Sequence, residues 1–272
     1  MTNTPQLTDT NALRLHRARA RTDRLFLQES AADEIKDRLA MVNRGFKDTA
    51  IVTPFPDIWR DVFPDAHIVP DDETLALETK SFDLVVHSLS LHWANDPVGQ
   101  LIQCRRSLKP DGLMICATLG GQTLEELRSA ISEAEIAATG GLSPRVVPMG
   151  EIRDLGALLQ RAGFALPVAD SISLRTEYRD ALHLMHDLRH MGETNALSQR
   201  QRSYGGKDIF LRTAEIYREN FTAGSGRIRA TYDIVFLTGW APDDTQPQPL
   251  RPGSAKQRLA DALKVPEVPL RD

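Results

Sequence analysis

Two runs of consecutive apolar residues, separated by a segment of helical length, form the clearest pattern in the chain. Residues 82–86 and residues 113–119 are rich in aliphatic side chains, and a Pro-Asp-Gly turn at residues 110–112 precedes the second run. Such runs are typical of strands buried on both faces. Because crossovers of this kind are right-handed and make the two strands parallel, we predict an open α/β sheet. Its ligand edge should lie at residues 87–93 and 119–122, beyond the carboxyl ends of the strands.

Apolar positions at helical spacing predict further helices along the chain. These cover residues 22–42, 123–138, 152–162, 180–191 and 207–221. Thr123 and Glu126 have the spacing of a capping box, Gly163 is placed to end a helix, and Asp96 before Pro97 predicts another helix cap. Shorter β-type runs predict strands near residues 49–53, 66–69, 168–174 and 229–240.

The pattern favours one mixed α/β domain over residues 22–255. Residues 1–21 are expected to be a disordered or basic N-terminal segment, and residues 256–272 a peripheral tail. Helical insertions are expected at about residues 140–150 and 179–221, and the Gly and Pro content of the first also makes it a candidate lid.

Composition mainly excludes certain classes of partner, site and cellular location. The 33 basic and 37 acidic residues give a net charge of −4, so we expect a protein or small-molecule partner and no nucleic acid. Cys104 and Cys116 offer neither a disulfide framework nor metal-ligand spacing, which favours buried thiols in a reducing cytoplasm. No apolar run approaches the roughly 18 residues of a membrane span, and no signal-peptide core is visible, so we expect a cytoplasmic protein without stable membrane insertion.

Residues 13–24 hold five arginines, a composition that an organellar transit peptide would share. Because this segment runs directly into a helical pattern, we favour a solvated basic face.

The order of these elements, with the motifs after the strands, resembles the class I S-adenosylmethionine-dependent methyltransferases. Within that superfamily the chain is similar to the subfamily of respiratory complex I assembly factors and biotin-pathway-type methyltransferases, over about residues 25–255. The motifs that carry the resemblance are Ser88-Leu89-Ser90-Leu91-His92-Trp93-Ala94-Asn95-Asp96, Leu108-Lys109-Pro110-Asp111-Gly112, Leu119-Gly120-Gly121-Gln122-Thr123, Gly141-Leu142-Ser143-Pro144, Asp154-Leu155-Gly156, Arg161-Ala162-Gly163-Phe164, Met191-Gly192-Glu193-Thr194-Asn195 and the strand at 230–240.

The resemblance implies S-adenosylmethionine as cofactor and a Rossmann-like sheet of seven strands, mostly parallel with an antiparallel last strand. Members of the family have a glycine-rich loop after the first strand, where the backbone packs against the cofactor. In this chain Thr53-Pro54-Phe55-Pro56-Asp57 stands there instead, and proline removes a backbone donor while Phe55 adds bulk. Tight cofactor binding is therefore expected to be impaired.

The distance between Thr53 and Phe82 is also short for the family. About 30 residues separate them, whereas each βα unit takes roughly 25 to 30 residues. We therefore expect one βα unit to be missing from the N-terminal half, together with the acid that would accept the ribose hydroxyls.

Candidate cofactor contacts follow from the same resemblance. Asp71 falls at the distance from Phe82 of the adenine-side acid, with Asp72 beside it, although an acidic pair after a strand is also typical of a solvated turn or helix cap. His87, Ser88 and Leu89 end the central strand and would face the cofactor through backbone groups.

His92 and Trp93 are the candidate catalytic residues. A histidine beside an aromatic ring at the carboxyl end of a strand could position a substrate or act as a base near pH 7, and Trp93 could equally serve packing. His183, His186 and His190 lie on one helix face. Because one helix rarely points three rings at one ion, we expect a polar face there and no metal.

Two hypotheses for function remain open. The first is an S-adenosylmethionine-dependent methyltransferase-like enzyme that modifies a small molecule or a protein, including a protein arginine as the complex I relatives imply. The second is a cofactor-less pseudo-methyltransferase that binds a protein as an assembly factor. An open cleft between residues 53–57 and Asp71 would favour the first, and a cleft filled by Phe55 or Trp59 would favour the second.

Overall fold

The computed structural model describes residues 6–202, 206–247, 261 and 264. The chain forms two compact units, Met1–Pro242 and Asp243–Asp272. The predicted domain boundary at residue 255 lies outside the described residues. In the second unit, Asp243 stabilises a turn by accepting hydrogen bonds from the backbone and hydroxyl of Thr245 at 2.9 and 2.6 Å. The predicted peripheral tail, residues 256–272, lies largely outside the described residues.

All elements named here belong to the first unit. The strands are β1 Thr49–Val52, β2 His67–Val69, β3 Phe82–Ser88, β4 Leu108–Gly120, β5 Ala165–Tyr178 and β6 Ile228–Trp240. The helices are α1 Thr10–Arg17, α2 Phe26–Met41, α3 Asp57–Arg60, α4 Pro97–Ser107, α5 Glu125–Thr139, α6 Ile152–Ala162, α7 Ala181–His190 and α8 Lys207–Phe221.

The strands form one six-stranded sheet in the order β2-β1-β3-β4-β6-β5. The first four in this order are parallel to one another, whereas β6 runs antiparallel to both β4 and β5. This confirms the mostly parallel, Rossmann-like sheet with an antiparallel last strand. Six described strands instead of seven, with β2 alone outside β1, agree with the predicted loss of one βα unit.

The sheet is buried on both faces, which explains the continuous apolar runs. Leu84 and Val86 of β3 pack into a core with residues of α2, α5, α7 and α8. Val85 points to the opposite face, where it shares a second core with Leu101 and Cys104 of α4 and residues of α6. The predicted strand–helix–strand unit is thus the centre of the molecule.

Local signals identified some helix ends and missed others. Asp96 caps α4 by accepting a hydrogen bond from Gly99 N at 2.8 Å, and Gly163 ends α6 at φ +80°. The prediction of a capping box at Thr123 and Glu126 was wrong. Thr123 Oγ1 instead donates to Gly120 O at 2.8 Å, and both Glu126 oxygens accept from Thr231 of β6. Contacts with a distant strand outcompete the local cap.

Two predicted segments also differ from the structure. Residues 140–150 contain no helix. Residues 6–21, expected to be disordered or a solvated basic segment, instead contain α1, which Asp9 caps. Leu13 is buried, and the Arg17 side chain is only 12% exposed. Among the described residues, none of the helices combines the length and hydropathy that a membrane span requires.

Candidate functional site

The carboxyl ends of β1, β3 and β4 meet at one edge of the sheet, where the ligand site was predicted. His87 and Ser88 are fully buried there. Ser88 Oγ donates to Gln28 Oε1 at 3.3 Å, and Gln28 Nε2 donates to Leu89 O at 3.2 Å. Helix α2 therefore covers the end of the central strand through the Gln28 side chain.

His87 is held from the opposite face of the sheet. Gln100 Nε2 donates to Asp72 O at 3.1 Å, so Gln100 Oε1 accepts from His87 Nε2, which lies 2.9 Å away. Burial lowers the pKa of His87, so the ring is neutral near pH 7. Its Nδ1 is buried and has no hydrogen-bond partner among the described residues.

Asp71 and Asp72 have different surroundings. Asp72 is exposed. Arg17 Nη1 donates to both carboxylate oxygens of Asp71 at 2.8 and 2.7 Å, and the two side chains are only 12% and 11% exposed. Asp71 follows β2, which pairs directly with β1. The acid that the resemblance assigned to the cofactor is therefore occupied by an arginine of the same chain.

The remainder of this edge does not fit S-adenosylmethionine. Trp59, from the segment that replaces the glycine-rich loop, is fully buried in the same core as Ile51. A cavity of about 10 Å³ borders Gln28 and Leu89, which is roughly the room that one water needs. Because Trp59 belongs to the core and Arg17 is paired with Asp71, neither the segment in place of the glycine-rich loop nor the Asp71 carboxylate is open to the cofactor at this closed edge.

A larger cavity of about 300 Å³ lies beside the carboxyl end of β4. Its walls come from β4, α5, α7, α8 and the loop before α6. Most lining side chains are apolar: Leu27, Trp93, Leu119, Leu124, Leu127, Ile131, Val146, Val147, Met149, Met185, Leu188, Phe210 and Tyr232. The polar lining residues are His92, Arg145, Arg189, Glu193, Thr194 and Asn195. An apolar pocket with a few polar groups is typical of a substrate site.

Glu193 is the buried acid of this cavity. Its Oε2 accepts from Trp93 Nε1 at 2.8 Å and lies 3.2 Å from His92 Nε2. Burial acts to raise the pKa of Glu193, but His92, Arg17 and the Trp93 N–H together hold that pKa below its ordinary value, so the group is a carboxylate at neutral pH. Its Oε1 accepts no hydrogen bond from the residues that the structure describes.

The structure thus divides the predicted site residues into two groups. His92 and Trp93, the candidate catalytic pair, line the cavity, whereas Asp71, His87, Ser88 and Leu89 surround the closed edge, with Asp72 beside it. Sequence reasoning missed Glu193, although it lies in the Met191-Gly192-Glu193 motif that carried the resemblance. The sequence signal that could have identified Glu193 is its place within this motif. No local pattern shows that Trp93 Nε1 would donate a hydrogen bond to its carboxylate.

His183, His186 and His190 all lie on α7. No group of histidine, cysteine, aspartate and glutamate side chains within the described part of the chain is arranged to hold a metal. His183 instead packs edge-on against the Tyr178 ring at 5.7 Å.

The Gly- and Pro-rich loop that walls the cavity is fixed to α5 by Glu135. This carboxylate accepts from Ser143 N at 3.0 Å, from Ser143 Oγ at 2.6 Å and from Arg145 Nη2 at 2.6 Å. Burial opposes ionisation, but the Arg145 and Ser143 contacts lower the pKa of Glu135 to about 2. Glu135 thereby holds Arg145 at the cavity wall.

A pH-dependent stability follows from this contact. A carboxyl group whose pKa falls from 4.5 to about 2 on folding adds stability above pH 4.5, and this contribution is lost as the pH falls toward 2. The free energy of unfolding is measured by urea denaturation at about pH 5 and at about pH 3. We expect it to fall less between these two pH values in Arg145→Met than in the wild type. Arg212→Met, which removes an exposed ion pair, should behave as the wild type. Equal losses in Arg145→Met and wild type would contradict the assignment.

Comparisons with known proteins agree with the resemblance in the sequence. A family profile described as a methyltransferase domain matches residues 52–116. An arginine-hydroxylase named NDUFAF5, mitochondrial, from Danio rerio is 39% identical over 73% of this chain and 61% of its own length. A malonyl-[acyl-carrier protein] O-methyltransferase from Gallionella capsiferriformans is 31% identical over 76% of this chain and 68% of its own length.

The solved structure of the YcgJ protein from a Bacillus species aligns with 78% of this chain and 99% of its own, with 10% identity and a TM-score of 0.49. The chain spans about three fifths of the arginine-hydroxylases that it matches. Both named relatives are enzymes, so the comparisons do not favour the cofactor-less pseudo-methyltransferase.

Proposed function

This chain belongs to the S-adenosylmethionine-dependent methyltransferase-like family, and from that premise we propose that it modifies an arginine side chain of a protein during assembly of respiratory complex I. The relatives named as arginine-hydroxylases suggest the type of residue. The acceptor, predicted as a protein or a small molecule, is on this proposal a protein. The cavity of about 300 Å³ would receive the arginine side chain.

The Glu193 carboxylate is the observation that supports an arginine substrate. A guanidinium matches a carboxylate in charge and in hydrogen-bond geometry, and Glu193 keeps Oε1 without a donor from the described residues. The apolar walls suit the methylene groups of an arginine. Arg145, the other buried charge at the wall, is paired with Glu135 at 2.6 Å.

The cellular location follows the substrate in this proposal. The arginine-hydroxylase relatives are named as mitochondrial proteins. The comparisons therefore do not support the cytoplasmic location that we predicted from composition. We place the chain where complex I is assembled.

Deletion of the gene tests the function. We expect at least one arginine of a complex I subunit to lose a mass shift in the deletion strain and to regain it on complementation. The measurement is peptide mass spectrometry after cleavage at lysine, with native gels to follow the amount of assembled complex. Unchanged arginine masses in every detected complex I peptide would contradict the proposal, as would methylation of malonyl-acyl carrier protein by the purified chain.

A further inference from the structure

The mouth of the cavity that contains Glu193 is bordered by positively charged side chains from two segments. Arg189, near the end of α7, lines the cavity and is exposed, so it lies where the cavity opens. Thr194, another lining residue, accepts a hydrogen bond through its carbonyl oxygen from His16 Nδ1 at 3.1 Å. The end of α1 therefore borders the same opening.

The segment after α1 is packed against the segment that ends α7. Arg21 N donates to His190 O at 2.8 Å, and a Cβ at Gly192 would lie 3.5 Å from Ala20 Cβ. Arg19, which directly precedes these contacts in the chain, is exposed. The packing thus brings Arg19 to the side of the molecule on which the cavity opens.

The His16 ring lies among these cations. Burial lowers the pKa of His16, its hydrogen bond to Thr194 O acts in the opposite direction, and the positive charges of Arg200, Arg19 and Arg189 lower that pKa further. Guanidinium groups from three segments of the chain therefore lie within electrostatic range of one ring. Because like charges at such distances repel one another, the arrangement favours an anion that binds among them.

Two of the three arginines are free to bind such an anion. Arg200 is already paired with Asp9, at 2.9 Å. Neither Arg19 nor Arg189 forms an ion pair or a side-chain hydrogen bond within the part of the chain that the structure describes, and we call these two residues the basic rim. The whole chain has a net charge of −4, so the rim is a local feature and not part of a generally basic protein. Guanidinium groups bind carboxylates with favourable charge and geometry.

We propose that the basic rim binds acidic side chains that flank the target arginine in the protein substrate. The inference rests on the proposed function, because it takes the cavity as the place that receives the arginine. The Glu193 carboxylate lies inside the cavity and the rim lies at its mouth, so an arginine with acidic neighbours matches both in the sign of charge. An anionic bilayer fits the rim less well, because it would cover the opening that a substrate side chain must enter.

Short synthetic peptides with one central arginine test the rim, with binding measured by fluorescence anisotropy. Glutamates flank the arginine in one peptide and glutamines flank it in the other. We expect the wild type to bind the glutamate peptide with a Kd at least about fivefold lower, because two exposed ion pairs each add a modest amount. Raising the salt from roughly 0.05 to roughly 0.5 M should reduce this preference. Equal Kd values at low salt overturn the proposal, and so does the absence of binding by both peptides.

A double variant shows whether the rim causes the preference. Arg19→Gln combined with Arg189→Gln removes both charges at exposed positions, where substitutions cost little stability. The control is Arg153→Gln combined with Arg161→Gln, two exposed arginines of α6, which packs on the other face of the sheet. The rim variant should lose the preference for glutamate and the control should keep it. A preference that the rim variant retains, or that both variants lose, is incompatible with the proposal.

A third peptide separates this inference from the proposed function. It keeps the glutamates and has leucine in place of the arginine, so it should bind more weakly than the glutamate peptide with arginine. If it binds equally well while the preference for glutamate remains, the cavity does not receive an arginine and the preference of the rim for acidic chains stands. Sedimentation with phosphatidylglycerol vesicles tests the other anionic surface. Vesicle binding that the rim variant loses, together with equal Kd values for the two arginine peptides, would assign the rim to a membrane and overturn the proposal.

Discussion

Replacing Glu193 by glutamine is expected to reduce arginine modification of the complex I subunit by at least about 30-fold. Removing one partner of a buried, hydrogen-bonded charge pair typically costs about 2 to 5 kcal/mol of binding, and 2 kcal/mol corresponds to about 30-fold. Glutamine keeps an oxygen that can accept from Trp93 Nε1, so the fold should persist. The ratio of modified to unmodified peptide in a complemented deletion strain measures the effect.

Glu126→Gln is the matched control for that experiment. Glu126 is also a buried carboxylate, 6% exposed, but it binds Thr231 and does not line the cavity. We expect the Glu126→Gln variant to modify the arginine to the same level as the wild type does. If Glu193→Gln and Glu126→Gln modified the arginine equally well, Glu193 would not be the group that recognises the substrate.

Replacing Trp59 by alanine is expected to lower the free energy of unfolding by about 3 to 5 kcal/mol, because truncating a buried aromatic side chain removes its burial and leaves a cavity. Trp59 is fully buried and stacks on Phe63 at a ring distance of 6.2 Å. Urea denaturation at neutral pH measures the change. The result would establish that the segment in place of the glycine-rich loop is part of the core.

Two variants control for the position and chemistry of Trp59. Trp59→Phe keeps most of the buried ring and removes an indole N–H that has no partner among the described residues, so its cost should be below about 1.5 kcal/mol. Phe55→Ala, at a partly exposed position of the same segment, should cost about 1 kcal/mol. A loss in Trp59→Ala no larger than that in Phe55→Ala would contradict the buried position.

The sequence predicted the elements whose signals are local. The apolar runs of β3 and β4 identified the centre of the sheet because both strands are buried on two faces, and Lys207–Phe221 was predicted at its observed bounds. The cap at Asp96 and the end of α6 at Gly163 were also correct, since each depends on residues within one turn. The short spacing between Thr53 and Phe82 indicated the missing βα unit for a similar reason: chain length limits how many elements fit.

The sequence by itself determined the α/β sheet and the loss of the glycine-rich loop, and its resemblance to the family implied the antiparallel last strand. Only the tertiary structure decided where the charges of the site lie. Arg17 and Asp71 are 54 positions apart, and Trp93 and Glu193 are 100 apart. Periodicity and capping rules act within a few residues, whereas these pairs form only when the sheet brings distant segments to one edge. For that reason the sequence pointed to a solvated basic face at residues 13–24 and did not identify Glu193 as the acid of the cavity.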